Sequence, residues 1–244
     1  MSFKATVFDM DGTILDTLAD LNHSLNYALE ECGHRGDFPE ETTKAFFGSG
    51  IRVAIKRALA LEQGFPEKKL DVIGTEKEPA LPIAEEEIER IREVYSPYYQ
   101  AHCNDRTGPY PGIPELLQQL RDQGIKTAVV SNKPDAAVQK LAADLFPGGF
   151  DYSLGEAPGT ARKPAPDMVE KCLSEFGIGP EEAVYIGDSE IDLQTAANAG
   201  LACILVDWGF RSRNYLVNRG ADVIVSSCGE ILRMIAGTGA ENEV

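Results

Sequence analysis

TVFDMDGTILD, residues 6–16, ends an apolar run with Asp9 and Asp11, a single residue between them, and sets Gly12 and Thr13 directly behind. Two carboxylates this close repel, and burial costs them further, unless a cation or a shared proton compensates. The chain already carries a formal net charge of -16. A cation is therefore the first thing to look for, and the neighbouring sequence shows where.

Working outward, the apolar residues 4–8 (KATVF) have the length of a buried strand. Residues 125–130 (IKTAVV), 183–186 (AVYI) and 202–206 (ACILV) repeat the pattern, with weaker versions at 151–154 and 222–225. Each strong run is followed by polar or glycine-rich turn chemistry and then by helical periodicity, which predicts parallel strands with crossover helices. In such α/β sheets ligands bind at the carboxyl ends of the strands. Residues 18–104 read differently. Ile51, Ile55 and Leu59, then Ile88, Ile91 and Tyr95, recur at helical steps, with no convincing strand among them. The expected organisation is an α/β core of residues 1–17 and 105–244, with a helical insert, 18–104, after the first strand. Within the insert, GFPEKKLDVIGTEKEPALP holds two glycines and three prolines and is expected to be mostly loop. The tail GTGAENEV is expected to fray.

Composition narrows the partners. Thirty-nine acidic against twenty-three basic residues, with no concentrated basic patch, argue against nucleic acid and against an anionic membrane. No apolar stretch reaches the length of a membrane span. Five widely spaced cysteines without a CxxC pair suggest neither a disulfide framework nor a zinc site. A reduced, cytoplasmic setting is expected. His23, His34 and His102 are scattered through the insert and form no evident cluster. Oligomeric state is not legible.

Polar residues gather at the other strand ends. Ser131-Asn132-Lys133 follows IKTAVV, Arg162-Lys163-Pro164 lies near the fourth strand, and Gly187-Asp188-Ser189-Glu190-Ile191-Asp192 follows AVYI. Singly, these read as a helix cap, a turn, and a cap with a solvated face. Together, in this order, they are hard to attribute to capping.

The motifs DMDGT, SNK, KP and GDSEID resemble those of the haloacid dehalogenase superfamily of phosphotransferases, in the same order. The helical insert is similar to the cap of the subgroup containing phosphoglycolate phosphatase, as are YPGIPELLQQL, VVSNKP, GDSEIDLQTAANAG and VDWGF. The resemblance implies a Rossmann-like parallel core with a cap inserted after the first strand, and a phosphatase of small phosphorylated metabolites. It implies Asp9 as nucleophile, forming an aspartyl phosphate, and Asp11 as proton donor and acceptor. Asp9, the backbone carbonyl of Asp11, and Asp188 would hold Mg²⁺, with Asp192 supporting them; hard oxygen donors suit that ion. Thr13, Ser131 and Asn132 would bind phosphate oxygens, and Lys163 would supply fixed positive charge. Gly48, Ser49, Gly50 and Arg52, at the start of a helix in the insert, would set specificity by meeting the substrate carboxylate with free backbone amides and the Arg52 charge. Lys133 is expected to be solvent-exposed, while Trp208 and Phe210 would pack at the rim or in the core.

2-Phosphoglycolate is the expected substrate. The alternative is another phosphotransferase of the superfamily, such as a sugar-phosphate phosphatase or a β-phosphoglucomutase-like enzyme. A phosphonate hydrolase would need a lid lysine, for which Lys44 and Lys56 are formally open, and a dehalogenase would need neither Asp11 nor metal. A receiver-like module accepting phosphate for signalling is the non-enzymatic alternative.

Overall fold

A computed structural model of the chain describes residues 3–235; the GTGAENEV tail lies outside them. Strand β1 (Ala5–Phe8) leads through a tight turn into the two-residue strand β2 (Leu15–Asp16). Helices α1 (Leu18–Glu31), α2 (Glu40–Thr43), α3 (Ile51–Glu62) and α4 (Glu85–His102) follow. Next come β3 (Gly108–Pro109), α5 (Ile113–Asp122), β4 (Lys126–Pro134), α6 (Asp135–Leu145), β5 (Tyr152–Glu156) and α7 (Asp167–Phe176). The described chain closes with β6 (Ala183–Gly187), α8 (Glu190–Ala199), β7 (Ala202–Val206), α9 (Arg213–Asn218), β8 (Ile224–Val225) and α10 (Cys228–Ile235).

Two compact units result, one of Met1–Asp16 with Pro109–Val244 and one of Thr17–Gly108. The second crossing falls later than residue 104 for a local reason. Asp20 of α1 accepts hydrogen bonds from the backbone N–H groups of Arg106 and Thr107 and from the Thr107 hydroxyl, which ties that stretch to the helices.

The first unit is built on a parallel six-stranded sheet, order β5-β4-β1-β6-β7-β8. Every residue of β1 and β6 is buried. That explains their continuous apolar runs, since strands covered by helices on both faces do not alternate. On one face Val7, Ala128, Val130 and Tyr185 meet Met168, Val169, Cys172 and Leu173 of α7. The valines, Met168 and Leu173 among them each contribute about 1.5–3 kcal/mol when fully buried. β1 is central, so its carboxyl end is flanked by those of β4 and β6. β4 runs further than the sequence suggests: Ser131-Asn132-Lys133-Pro134 continues the strand, with an irregularity between Val130 and Pro134, before α6 starts at Asp135.

In the second unit, α1 packs on α4 through faces that bury Leu21, Leu25 and Leu29 on one helix and Ile88, Ile91 and Tyr95 on the other. The segment expected to be mostly loop carries a 3-10 turn, Glu67–Val72, and buries Leu70 and Ile73. Lys56 fastens it from α3 through Glu78, at 2.9 Å. Among the described residues no helix is long and apolar enough to cross a membrane.

Candidate active site

Asp9 directly follows β1, and its backbone N–H still pairs with the Ile186 carbonyl of β6, so the sheet itself aims this side chain. Asp9 is 7% exposed, and its carboxylate lies 2.6 Å from the Lys163 ammonium. Burial, with Asp192 and Asp11 nearby, pushes its pKa up to about 7 against the pull of Lys163. Burial likewise holds Asp188 well above its ordinary value, and Asp192 and Asp9 add to the effect. Asp9, Asp188 and Asp192 each present an oxygen within 4.8 Å of the others. So much buried carboxylate calls for positive charge beyond the single lysine, and an all-oxygen donor set suits a hard divalent cation.

Hydrogen bonding separates the three acids. Asp192 is fully committed: Oδ1 accepts from Lys163 Nζ (2.8 Å) and the Tyr185 hydroxyl (3.1 Å). Its Oδ2 accepts from the Ser189 hydroxyl (2.6 Å) and from the backbone N–H groups of Asp188 and Ser189. Ser189 in turn caps α8, accepting from the Asp192 N–H at 3.4 Å. Asp192 therefore positions Lys163 and Asp188 and has little capacity left for a metal. Asp188 accepts from the Phe210 N–H at 2.6 Å through Oδ2, and from the Thr13 hydroxyl at 3.5 Å through Oδ1. Lone pairs remain on Asp9 and Asp188, which are the carboxylates suited to hold the cation.

The backbone closes tightly around Asp188. Gly12 has φ of 83°, where a side chain is strained, and a Cβ there would stand 2.4 Å from Asp188 Oδ2. A Cβ at Gly209 would stand 2.3 Å from the Gly12 carbonyl oxygen. The VDWGF stretch thus has a definite place: Trp208 Nε1 donates to the Thr13 carbonyl at 3.1 Å, and Phe210 donates its N–H to Asp188.

Several side chains sit otherwise than the sequence suggests. Lys133, expected in solvent, is 5% exposed, and its ammonium is 2.9 Å from Asp11 Oδ1. Lys163, expected to supply fixed positive charge, contacts Asp9 and Asp192, and the charge beside Asp11 comes from Lys133. Asn132, expected to face phosphate, brackets the backbone of Lys163: its Oδ1 accepts from the Lys163 N–H at 2.7 Å and its Nδ2 donates to the Lys163 carbonyl at 3.0 Å. That pairing seats the lysine against β4. Thr13 is buried, with its hydroxyl turned toward Asp188. Ser131 is buried at the end of β4, and its hydroxyl oxygen accepts from the Lys133 N–H at 3.2 Å, leaving its own proton to donate. Tyr185 has no advance signal, since AVYI reads as an ordinary apolar strand. Burial holds its phenol well above the usual pKa, so it stays a neutral donor.

In the helical unit, Gly48 and Gly50 take positive φ values of 102° and 81°, and α3 begins at Ile51. Arg52, expected to face an anion, is ion-paired with Glu85 and Glu89 of α4. The cation behind the Gly48-Ser49-Gly50 turn is Arg57, 1% exposed. It donates to the carbonyls of Ala45 (3.1 Å), Phe46 (3.0 Å) and Ile73 (3.0 Å) and to the Ser49 hydroxyl (3.3 Å). The histidines are structural: His34 bridges Glu62 and Glu87, His23 pairs with the Tyr98 hydroxyl, and His102 with Asp105.

Comparison with known proteins agrees with this geometry. The family model for haloacid dehalogenase-like hydrolases matches residues 6–206. A candidate phosphoglycolate phosphatase of known crystal structure from Lactobacillus delbrueckii subsp. bulgaricus is 52% identical, with a TM-score of 0.95. That match covers 97% of this chain and 100% of the other. The phosphoglycolate phosphatase of Mannheimia succiniciproducens is 30% identical over 234 residues, 96% of this chain and 98% of its own. That of Nitrosospira multiformis is 31% identical over 238 residues, 96% of each chain. This chain belongs to the haloacid dehalogenase-like hydrolase family, as a phosphoric monoester hydrolase similar to phosphoglycolate phosphatases.

Proposed function

We propose that the enzyme hydrolyses 2-phosphoglycolate to glycolate and phosphate, with the phosphoryl group carried transiently on Asp9. The carrying observation is the pairing of two strand-end aspartates with two separate buried lysines, Asp9 with Lys163 and Asp11 with Lys133. Similarity to phosphoglycolate phosphatases along nearly the whole chain supports the choice of substrate.

Mg²⁺ is the cation we assign to Asp9, the Asp11 backbone carbonyl and Asp188; when bound it supplies positive charge for the phosphoryl oxygens. An Asp9 carboxylate oxygen attacks phosphorus, and the bond from phosphorus to the bridging oxygen breaks. Asp11 gives its proton to that oxygen, so the leaving group departs as an alcohol. Water then attacks the phosphorylated Asp9 and yields its proton to Asp11, which frees phosphate and restores both acids. Lys163 keeps a fixed charge against the developing anion: burial opposes that charge, but Asp192 and Asp9 outweigh it and hold the pKa well above its ordinary value. The Ser131 hydroxyl is free to donate to a phosphoryl oxygen. Asn132 acts by holding Lys163. We assign residues 18–104 the part of a cap, in which Arg57 stiffens the Gly48-Ser49-Gly50 turn. The five cysteines are free thiols, consistent with a reducing cytoplasm.

Phosphate release from a panel of small esters, with and without Mg²⁺, tests this reading. Preference for 2-phosphoglycolate is expected. Interconversion of hexose phosphates without phosphate release would overturn it in favour of a mutase.

Metal linkage gives a second expectation. Without metal, the raised pKa of Asp9 means the folded chain keeps a proton that the unfolded chain releases between about pH 4 and 7. Stability is therefore present at low pH and falls as pH rises through that window. Asp188, shifted the same way, adds to the slope. In EDTA the Tm should fall from pH 5 to pH 8, and saturating Mg²⁺ should raise it more at pH 8 than at pH 5, because binding displaces protons. Equal metal-induced shifts at the two pH values would count against this cation site.

A further inference from the structure

We infer that Tyr185 is a positioning residue for phosphoryl transfer: its hydroxyl, together with Asp192, fixes the Lys163 ammonium so that one N–H points at Asp9. The inference rests on the proposed reading of Asp9 as the phosphoryl carrier and deepens it. Lys163 Nζ donates to Asp9 Oδ1 at 2.6 Å, to Asp192 Oδ1 at 2.8 Å and to the Tyr185 hydroxyl at 3.0 Å. An ammonium has three protons, so each finds one acceptor. Asp192 and Tyr185 are fully buried, whereas Asp9 is 7% exposed. Two acceptors therefore lie on the inner side of the ammonium and one toward the strand ends.

The inner side is a closed triangle. Tyr185 accepts from Lys163 and donates its own proton to Asp192 Oδ1 at 3.1 Å, so one carboxylate oxygen receives from both neighbours. Each edge has one donor and one acceptor. A lysine head is a compact charge on a flexible four-carbon stem, and one partner alone would leave it room to swing. Two partners leave the nitrogen one place and its protons one rotation. Neither partner is loose: the Tyr185 ring packs in the apolar cluster between the sheet and α7, and Asp192 Oδ2 is held by the Asp188–Ser189 turn. At the other end of the side chain, Asn132 brackets the Lys163 backbone. The third N–H thus has a set direction, toward Asp9. Once Asp9 is esterified it is no longer an anion, and that N–H meets the phosphoryl oxygens that Asp9 carries. Tyr185→Phe keeps the ring and deletes one corner of the triangle. Lys163 retains its charge, and with it the attraction for a dianionic ester, but loses the direction that transfer requires. Such a loss falls on kcat and spares KM.

The test measures hydrolysis of 2-phosphoglycolate and of p-nitrophenyl phosphate by the wild type, Tyr185→Phe and Lys163→Met, with kcat taken per mole of folded protein from far-UV circular dichroism. Tyr185→Phe should lower kcat by about ten- to hundredfold, the size of one hydrogen bond to a charged group, and leave KM within about threefold. Lys163→Met should lose at least about a hundredfold. A kcat of Tyr185→Phe within about threefold of wild type, beside an impaired Lys163→Met, overturns the role of Tyr185 alone. So does a raised KM at unchanged kcat, which marks the hydroxyl as an aid to binding. Full activity in Lys163→Met overturns the reading of Lys163 as the charge on the phosphoryl group, and this inference with it. If the wild type turns over p-nitrophenyl phosphate but not 2-phosphoglycolate, the choice of substrate fails and Tyr185 is judged on the aryl ester. In nitrogen NMR of the wild type, the ammonium signal that Lys163→Met lacks should exchange its protons slowly with water. Fast exchange there refutes the fixed triangle whatever the variants do.

Discussion

Asp9→Asn is expected to lower kcat by about 10⁴-fold or more, the scale seen when a covalent nucleophile is removed. The amide keeps the shape of the side chain but offers phosphorus no anionic oxygen, and it surrenders the 2.6 Å ion pair with Lys163. The fold should survive. Burial has pushed the Asp9 pKa up to about 7, so the folded protein bears a cost for ionising this group that a neutral amide removes. Lys163 keeps Asp192 as its counter-ion. In EDTA at pH 8 the variant should melt at or above the wild type, with a weaker dependence of Tm on pH. Phosphate release assays and thermal melts on the two proteins decide it. Activity within tenfold of wild type would remove Asp9 from the role of nucleophile, and a melting point lowered by several degrees would contradict the electrostatic account.

The legibility of this site in the sequence depends on whether the signal is local. β1 and β6 are recognisable because a strand buried on both faces is an uninterrupted apolar run, and their ends are marked by the polar residues that stop the run. Asp9, Asp11 and Asp188 stand there and are found at once. Interactions between distant segments leave no such mark. Lys133 reads as an exposed residue at a helix start because nothing nearby in sequence shows that the strand continues to Pro134 or that Asp11 closes over the ammonium. Tyr185 reads as one more apolar strand residue, although its hydroxyl meets Lys163 and Asp192. Arg57 of α3 carries no local mark of its burial. It is buried because three carbonyls from two other segments converge on it. The same rule covers Arg211, whose partner Glu190, 3.0 Å away, lies on α8. Strand ends announce which residues carry the chemistry, whereas the side chains that orient them are known only once the chain is folded.

The largest effect on stability is expected at such an orienting residue. Asp192→Ala removes a carboxylate that accepts five hydrogen bonds, two from side chains on Oδ1 and three from the Asp188–Ser189 turn on Oδ2. It is fully buried, so water cannot take its place without opening the site. Lys163 would keep only Asp9 as a counter-ion, beside the Tyr185 hydroxyl, and two backbone N–H groups at the start of α8 would lose their acceptor. Breaking one side of a buried ion pair costs about 3–5 kcal/mol. At about 2–4 °C per kcal/mol for a protein of this size, the Tm should fall by roughly 10 °C. Asp192→Asn distinguishes charge from hydrogen bonding. Its amide nitrogen must face either the Lys163 ammonium or the two N–H groups, both of which are donors, so one side of the network is broken whichever way the amide turns. The asparagine variant should therefore lose nearly as much stability as the alanine variant, and both should bind Mg²⁺ more weakly through displacement of Asp188. Calorimetric melting in EDTA and titration with Mg²⁺ read the two effects separately. A Tm within 2 °C of wild type for Asp192→Ala would show that Asp192 does not hold Lys163 and the α8 turn together, and with that the link from this buried acid to the geometry around Asp9 would fail.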